Sequence, residues 1–330
     1  MEKIPVAIIG LGRIASLLED DSLREKPCTH GGAITANPDC LLVAGADSDE
    51  QRRTLFAERW HCPVYADPGA MLKAHGPQML HIATHPDSHP RYCRLAADYQ
   101  VPVVVCEKPL ADTLTGAQEI AALHRKGGIK IITNHERRYS ADYRTAKGIL
   151  DTERMGRLLS VKAGLYMGKS RRLRNVLWDD GTHLVDVLMF LTGSLMRHEK
   201  TWGADLSDKA GSAFLGGYLE PVEPEHTRKA IPFIIEVGAE RDHLVFELEF
   251  SCEQGRLRIG NGIFEVWESG PSPYAERFRS LRKTDETFDG PTGYFANMVQ
   301  DAVACVREPG REPRSSALDG LRVIAYLNDV

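Results

Sequence analysis

The feature that most constrains this chain is a glycine-rich turn placed directly between a short apolar run and a helical pattern. Residues 4–9 form a buried type of strand, and Gly10-Leu11-Gly12-Arg13-Ile14-Ala15 follows at once. The first glycine permits a tight turn, the second allows backbone to approach a pyrophosphate closely, and the alanine permits close helix–strand packing. The turn therefore predicts a dinucleotide site at a helix N-terminus. Its expected cofactor contacts are Gly10, Gly12, Arg13 and Ile14.

An acidic residue, Asp47, directly follows the second predicted strand at residues 41–46. Its carboxylate can accept hydrogen bonds from the adenosine ribose and would repel a 2′-phosphate, which predicts NAD as the cofactor. Arg52 and Arg53 lie one helical turn further on, so NADP stays open as an alternative. A tight turn followed by a strand-end aspartate, without any ligand, is the other interpretation.

Apolar runs alternate with helical patterns over the first ~130 residues, which predicts βαβ units and a parallel sheet covered by helices on both faces. After residue 133 the runs change to a period of two, as in residues 245–250, which is typical of strands with one wet face. We expect an α/β protein with a Rossmann-type doubly wound domain at residues 1–133 and a second domain at residues 134–330. A helix is predicted from Asp179 to Leu191, and a long loop from Asp205 to Thr227.

Composition excludes several classes of function. The net charge of −5 lacks the electrostatic footprint of a nucleic-acid-binding protein, and no apolar run approaches the ~20 residues that span a bilayer. The seven cysteines are scattered without a C-x-x-C pair, which favours reduced thiols over disulfides or a zinc site. The chain enters a strand pattern at its first residues, so no signal peptide is expected. We expect a cytoplasmic protein.

The triplet Glu107-Lys108-Pro109 follows the fifth predicted strand. Ligands of open α/β sheets bind at the carboxyl ends of the strands, so Lys108 should point at the cofactor cleft. Its ammonium could bind the nicotinamide ribose and stabilise charge on a reacting oxygen. A solvated turn is the alternative.

A second group of polar residues occurs at Asp179 and His183. Residues four apart share a helix face, and a carboxylate beside an imidazole orients it and raises its basicity, as a general base requires. The alternative is a capped helix start with a half-buried histidine.

Together these motifs resemble the glucose–fructose oxidoreductase / inositol dehydrogenase / MocA (Gfo/Idh/MocA) family over essentially the whole chain. The resemblance rests on the glycine turn, Asp47, Thr84, His89, Glu107-Lys108-Pro109, Arg138-Tyr139 and Asp179-x-Gly181-x-His183-x-x-Asp186. It implies that the second domain has a large, mostly antiparallel open sheet and binds substrate. It also implies that Lys108 bridges cofactor and substrate, that His183 is the acid/base with Asp179 as its partner, and that Thr84, His89 and Glu107 belong to the cofactor site.

The chain departs from the family pattern at two places. His85-Pro86 follow Thr84 where the family often has Pro-Asn, and a basic run at residues 169–175 replaces a glycine-rich stretch. Arg171, Arg172 and Arg174 of this run could recognise a substrate carboxylate or phosphate; a solvated or subunit-contacting loop is the alternative. The long segment 16–30 could reach the nicotinamide end of the cleft or be a surface excursion.

We therefore expect hydride transfer between a nicotinamide and a hydroxyl or keto carbon of a sugar, cyclitol or sugar derivative. Lys108 and His183 should flank the same substrate oxygen. The alternatives are a glycosidase or lyase that uses NAD for transient oxidation, and a non-catalytic dinucleotide-binding regulator. No metal is expected, because Pro86 breaks the helix that would align His81, His85 and His89. An apolar face of the open sheet predicts a homodimer or homotetramer.

Overall fold

The computed structural model describes residues 2–168, 171–222 and 230–330. The chain forms two compact units: the first contains the residues up to Ser140 together with Pro291–Ile324, and the second contains Ala141–Gly290 and Ala325–Val330. The units are thus not two consecutive segments, as the 1–133 and 134–330 division assumes. The chain re-enters the first unit at Pro291. It does so because Phe295, Met298 and Val299 are buried in the same core cluster as Ile8 and Val105.

The first unit contains a parallel sheet with the strand order β3-β2-β1-β4-β5-β6. This order is that of a dinucleotide-binding doubly wound sheet, which confirms the predicted fold class. Its strands are β1 Ile4–Ile9, β2 Cys40–Ala46, β3 Val64–Tyr65, β4 Met79–Ile82, β5 Val103–Cys106 and β6 Lys130–Thr133. Every residue of β4 and β5 is buried, as strands covered on both faces require.

The second unit contains an eight-stranded sheet with the order β14-β13-β12-β11-β7-β10-β9-β8. Its neighbouring strands are antiparallel, except that β7 and β10 run parallel. This confirms a large, mostly antiparallel sheet. The strands are β7 Leu158–Met167, β8 Ser194–Gly203, β9 Gly211–Pro221, β10 Ile231–Ala239, β11 Leu244–Cys252, β12 Gly255–Gly260, β13 Ile263–Pro271 and β14 Arg279–Lys283.

In the described residues, the helices coincide approximately with segments in which apolar residues recur at helical spacing. They are α1 His30–Ala36, α2 Glu50–Trp60, α3 Pro68–His75, α4 His89–Asp98, α5 Leu114–Arg125, α6 Ala141–Asp151, α7 Leu173–Asp179, α8 Gly181–Thr192, α9 Tyr294–Arg307 and α10 Ala317–Asp329. None of them is both long and apolar enough to cross a membrane.

Two predicted segments are wrong. The helix expected from Asp179 to Leu191 is divided, because α7 ends at Asp179 and α8 begins at Gly181. The loop expected from Asp205 to Thr227 contains strand β9, in which Ala213, Leu215 and Leu219 alternate as buried residues. The glycines of this stretch suggested a loop, but the period-two burial decides for a strand; its last residues, 223–227, lie outside the described part of the chain.

The face of the large sheet opposite its core is mixed rather than broadly apolar. Arg258 lies between Glu247 and Glu265, with nitrogen–oxygen distances of 3.1 Å to each. Aromatic side chains occupy another part of this face, where the rings of Trp202 and Phe214 stack with centroids 5.8 Å apart. The prediction of a broadly apolar face is therefore wrong, because cross-strand ion pairs occupy positions that were expected to be apolar.

The segment 16–30 is anchored to the first unit, although its residues 22–24 are exposed. A 3-10 turn forms at Leu17–Asp20, and the carboxylate of Glu25 accepts hydrogen bonds from the backbone N–H groups of Thr292 and Gly293 at 2.8 and 2.7 Å. Burial raises the pKa of Glu25, but these hydrogen bonds lower it to below its ordinary value. The segment is therefore fixed to the start of α9 within the first unit.

Candidate active site

A cavity of about 540 Å³ opens at the carboxyl ends of the strands in the first unit. Four loops that follow β1, β2, β3 and β4 build it, since parallel strands bring their carboxyl ends to one edge. Its lining residues include Gly10, Gly12, Arg13, Ile14, Asp47, Ser48, Arg52, Thr84, His85, Ser88 and Tyr92. The structure thus brings together Asp47, Thr84 and the residues predicted from the glycine turn.

The two glycines of the turn have different surroundings. Gly10 has φ of +86°, and a Cβ there would lie 2.7 Å from the carbonyl oxygen of Ala83. A Cβ on Gly12 would meet only Nη1 of Arg52, at 3.8 Å. Gly10 is therefore required by the turn itself, whereas Gly12 leaves open space on the cavity side. This space fits the close approach of a dinucleotide diphosphate.

The carboxylate of Asp47, which lines the cavity, accepts two backbone hydrogen bonds and lies near one arginine. Its Oδ2 accepts a hydrogen bond from the backbone N–H of Leu11 at 2.8 Å, and its Oδ1 accepts one from Asp49 at 2.9 Å. Arg52 approaches the same carboxylate at 3.7 Å. Arg53 instead donates to the backbone carbonyls of Asp47 and Ser48, each at 2.9 Å. Only Arg52 of the two arginines therefore lines the cavity.

Thr84 and His89 were predicted to lie at the cofactor, and the structure separates them. Thr84 lines the cavity, and its hydroxyl lies 2.7 Å from that of Ser88. His89 is fully buried, with Nε2 3.1 Å from the carbonyl oxygen of Thr84 and Nδ1 3.1 Å from that of Pro109. Burial lowers the pKa of His89, and these carbonyls oppose the shift. His89 joins two loops, because backbone carbonyls lie against both ring nitrogens; its role at the cofactor stays a prediction.

Glu107 and Lys108 directly follow β5. The Oε1 of Glu107 lies 2.9 Å from Nε2 of His30 and 2.5 Å from Nδ2 of Asn134, and its Oε2 lies 3.2 Å from the backbone nitrogen of Lys108. Burial raises the pKa of Glu107, but the hydrogen bonds from His30 and Asn134 and the charge of Lys108 lower it to below its ordinary value. Lys108 is half-buried. Within the described residues, neither side chain belongs to the cavity lining.

Sequence reasoning missed the partners of Glu107. His30 begins α1, and His81 lies in the middle of β4, with both side chains fully buried. A histidine inside a strand that is covered on both faces must find a polar partner there. That signal was available for His81, but the spacing of the sequence does not reveal which residue the partner is.

In the second unit, Asp179 and His183 do not share a helix, so the predicted four-residue spacing on one face is wrong. Asp180 separates α7 from α8, and the backbone N–H of His183 donates to the carbonyl oxygen of Asp180 at 3.1 Å. His183 is half-buried on the first turn of α8. Asp179 is exposed, and its Oδ2 lies 2.5 Å from Nη2 of Arg171.

Of the three arginines in the basic run, one is held in ion pairs and two are exposed. Arg171 forms ion pairs with both Asp179 and Asp180, at 2.5 and 2.6 Å, so its guanidinium is engaged within the chain. Arg172 and Arg174 are exposed. Lys169 and Ser170 lie outside the described residues. Among the residues that are described, no cluster of histidine, cysteine or acidic side chains could hold a metal ion.

Residues 4–135 match the Gfo/Idh/MocA family model, described as an oxidoreductase family with an NAD-binding Rossmann fold. The match contains the glycine turn, Asp47 and the strand-end triplet at Lys108. Over these residues the chain is similar to this family.

Curated relatives of this chain are named for their action on sugars and cyclitols. A D-apiose dehydrogenase from Paraburkholderia graminis is 24% identical over 87% of this chain and 79% of the relative. A dTDP-3,4-didehydro-2,6-dideoxy-alpha-D-glucose 3-reductase from Streptomyces antibioticus is 26% identical over 84% and 85%. An inositol 2-dehydrogenase from Pseudomonas fluorescens is 28% identical over 57% and 54%.

Solved structures have the same fold as this chain. A dehydrogenase from Chromobacterium violaceum has a TM-score of 0.77 and 16% identity, with 100% of this chain and 95% of that one covered. An oxidoreductase from Agrobacterium radiobacter, crystallised with NAD+, L-tartaric acid and magnesium, has a TM-score of 0.73 and 17% identity over 99% and 94%. These structures show the fold, and the family match over residues 4–135 is to an oxidoreductase family with an NAD-binding Rossmann fold.

Proposed function

We propose that the protein transfers a hydride between NAD and the hydroxyl or keto carbon of a sugar, cyclitol or sugar derivative. The observation that carries this proposal is the cavity at the glycine turn, where Gly12 leaves open space beside Asp47 and Arg52. NAD, when bound, supplies the ring that accepts or returns the hydride. Gly10, Gly12, Arg13, Ile14, Asp47 and Thr84 are the residues that would hold it.

Lys108 is the proposed electrophilic residue. Its ammonium would polarise the substrate oxygen and stabilise the negative charge that develops there. Support comes from its half-buried position directly after β5 and from the anchoring of its backbone nitrogen by Glu107. Such anchoring matters because catalytic groups must be held close to their productive geometry.

His183 is the proposed acid/base residue, with Asp179 as a member of the same catalytic set. In the oxidative direction, His183 takes the hydroxyl proton, and in the reverse direction it returns it. The ion pairs from Arg171 to Asp179 and Asp180 hold the two acidic residues that precede α8. They support a fixed position for the first turn of α8, on which His183 lies.

The substrate, the assembly and the cellular location belong to the same proposal. Arg172 and Arg174 are exposed and could contact a substrate carboxylate or phosphate, whereas Arg171 would act through the acidic residues that it pairs with. The second cofactor option, NADP, rests on Arg52 in the cavity lining. A homodimer or homotetramer and a cytoplasmic location complete the proposal; all seven cysteines are free thiols, as a reducing compartment favours.

A panel of sugars, cyclitols, sugar acids and nucleotide sugars, scored by the absorbance of reduced nicotinamide, tests this function. Lys108→Ala and His183→Ala should each lower kcat/KM by at least about a hundredfold. The matched controls are Lys126→Ala and His243→Ala, because both side chains are exposed in the same units. Wild-type turnover in both test variants would exclude the assigned roles. Substrate cleavage without accumulation of reduced cofactor would favour a glycosidase or lyase instead.

A further inference from the structure

A row of buried polar side chains lies inside the first unit, between β4 and the residue after β5. Nδ1 of His30 is 2.8 Å from Nδ1 of His81, and Nε2 of His30 is 2.9 Å from Oε1 of Glu107. At the other end, Nε2 of His81 is 3.3 Å from Sδ of Met79. Both imidazoles have an exposed fraction of 0%, so each ring nitrogen finds its partner within the row.

At one end of the row, hydrogen-bond donors surround the carboxylate of Glu107. The backbone nitrogen of Lys108 can only donate, and it lies 3.2 Å from Oε2. The amide nitrogen of Asn134 donates to Oε1 at 2.5 Å. Both oxygens accept hydrogen bonds, and the pKa of Glu107 lies below its ordinary value despite burial, so Glu107 is ionised at neutral pH and Nε2 of His30 donates its proton to Oε1.

The Met79 end fixes a second proton. A thioether sulfur has no hydrogen and can only accept, so Nε2 of His81 carries a proton toward Sδ. The two Nδ1 atoms at 2.8 Å hold one proton between them, because two lone pairs or two N–H groups would repel each other. The row therefore holds three ring protons. Two neutral imidazoles carry two, so the histidine pair has one positive charge.

That charge belongs to His30. His30 contacts the ionised Glu107, whereas burial and then the proximity of His30 hold the pKa of His81 well below its ordinary value. The titratable groups that face His30 are His81 from β4 and Glu107 after β5. From α9, the ring of Phe295 lies against the imidazole of His30 in a T-shaped arrangement, with ring centroids 5.3 Å apart.

We propose that His30 is a buried imidazolium whose two N–H groups, held by His81 and Glu107, fix the Glu107 carboxylate against the backbone N–H of Lys108. His30 and His81 are then positioning residues for Lys108, an assignment that rests on the function proposed above. The charge compensation also explains how a fully ionised carboxylate can be buried at this point, since an unpaired one would be strongly destabilising.

The protonation state can be measured without reference to catalysis. In the ¹⁵N-histidine-labelled protein at about pH 8, an ordinary exposed histidine is neutral. We expect one buried ring with two N–H groups and a scalar coupling between its Nδ1 and that of a second ring, across the shared proton. His30→Gln should remove these signals and thereby assign them. A row in which both rings are neutral at this pH would overturn the inference.

Two substitutions of His81 separate the hydrogen bond from simple packing. His81→Gln keeps an acceptor for the Nδ1–H of His30, whereas His81→Leu does not. We expect the imidazolium signals to persist in the first variant and to change to a neutral ring in the second, with both melting cooperatively. Persistence of the imidazolium in His81→Leu would contradict the proposed role of His81.

The positioning role has its own kinetic readout. His81→Leu should lower kcat by about tenfold with less than about a twofold change in KM for NAD, and His81→Gln should recover most of kcat. If the NMR signals are as expected but kcat is the same in all three proteins, the role toward Lys108 is overturned while the buried imidazolium stands. If the wild type has no oxidoreductase activity on any substrate, the proposed function fails and the NMR result still decides the protonation state.

Discussion

The backbone N–H of Leu11 donates to Oδ2 of Asp47 across 2.8 Å. This bond ties the middle of the glycine turn to the end of β2, so the residue expected to select the cofactor also shapes the turn that binds it. The carboxylate is only 9% exposed, with Arg52 at its rim. The negative charge that is expected to select NAD over NADP therefore also stabilises the glycine turn.

Asp47→Asn tests this dual role. The amide keeps one acceptor oxygen but removes the negative charge, so binding of a 2′-phosphate should become less unfavourable. We expect the ratio of NAD to NADP dissociation constants to shift toward NADP by about tenfold, which corresponds to about 1.4 kcal/mol. Calorimetric titration with both cofactors measures it. Asp49→Asn, which removes the same charge outside the cavity lining, should leave the ratio nearly unchanged; an equal shift there would refute a specific role for Asp47.

Gly10→Ala and Gly12→Ala form a matched pair. A Cβ at Gly10 would be 2.7 Å from a backbone oxygen at a φ of +86°, so the variant should lose about 2 kcal/mol or more in the free energy of unfolding. At Gly12 the nearest neighbour of a Cβ would be Nη1 of Arg52, 3.8 Å away, so the stability should change by less than about 0.5 kcal/mol. The affinity for NAD should nevertheless fall by about tenfold or more, because the methyl group occupies the space of the diphosphate. Urea unfolding and NAD titration measure the two effects, and unchanged NAD binding in Gly12→Ala would contradict this site.

Arg171→Ala should affect catalysis more than either neighbouring arginine substitution. Arg171 is the partner of both Asp179 and Asp180, and its loss frees the carboxylates that precede α8. We expect kcat/KM to fall by about tenfold or more, whereas Arg172→Ala and Arg174→Ala should raise KM for an anionic substrate with little change in kcat. Steady-state kinetics on one substrate compares the three. If Arg171→Ala lowered kcat/KM less than the other two substitutions, Arg171 would have no specific role in catalysis.

Asp319 predicts a pH dependence of stability. Burial raises its pKa, but Arg138, with Nη1 3.3 Å away, and the N–H and hydroxyl of Ser316 lower it to below its ordinary value. A carboxyl group with a lowered folded-state pKa stabilises the protein above its unfolded pKa, near 3.8, and loses that contribution as the pH falls through the folded value. Asp319→Asn should therefore cost about 3 kcal/mol at neutral pH.

Urea unfolding of the wild type and Asp319→Asn from neutral pH down to about pH 3 provides the measurement. The difference between the two proteins should be constant at neutral pH and shrink only below the ordinary pKa of an aspartate. Arg322→Ala is the control, because its pair with Asp319 is more exposed and should contribute less than about 1 kcal/mol. A difference that does not change with pH would exclude the proposed ionic contribution.

The features that sequence predicted well are local. The strand, turn and helix around Gly10 and Gly12, and the placement of Asp47 after β2, follow from short-range periodicity and glycine chemistry. The parallel sheet of the first unit and the mostly antiparallel sheet of the second have the expected character. The cavity then brings together residues from four separate loops because the strand order of the sheet dictates it.

The features that sequence missed depend on long-range contacts. Nothing near His30 indicates that it meets His81 and Glu107, and His89 resembles a ligand until its three backbone carbonyl neighbours are known. The helix α9 buries Phe295, Met298 and Val299, but no local feature of the sequence shows which core it joins. The break at Asp180 was missed because the apolar periodicity continues through it, while Asp180 and Gly181 divide the backbone into two helices.

The most direct test of the account is to follow a deuterium atom. A substrate found in the panel is prepared with deuterium on the carbon that bears the reacting hydroxyl, and the reduced nicotinamide formed by the wild type is analysed by mass spectrometry and NMR. The account predicts one deuterium at C4 of the nicotinamide for each keto product, and a large loss of this transfer in Lys108→Ala and His183→Ala. Deuterium that stays in a cleaved or eliminated product, or exchanges into water without any reduced nicotinamide, would contradict net hydride transfer as the function of this protein.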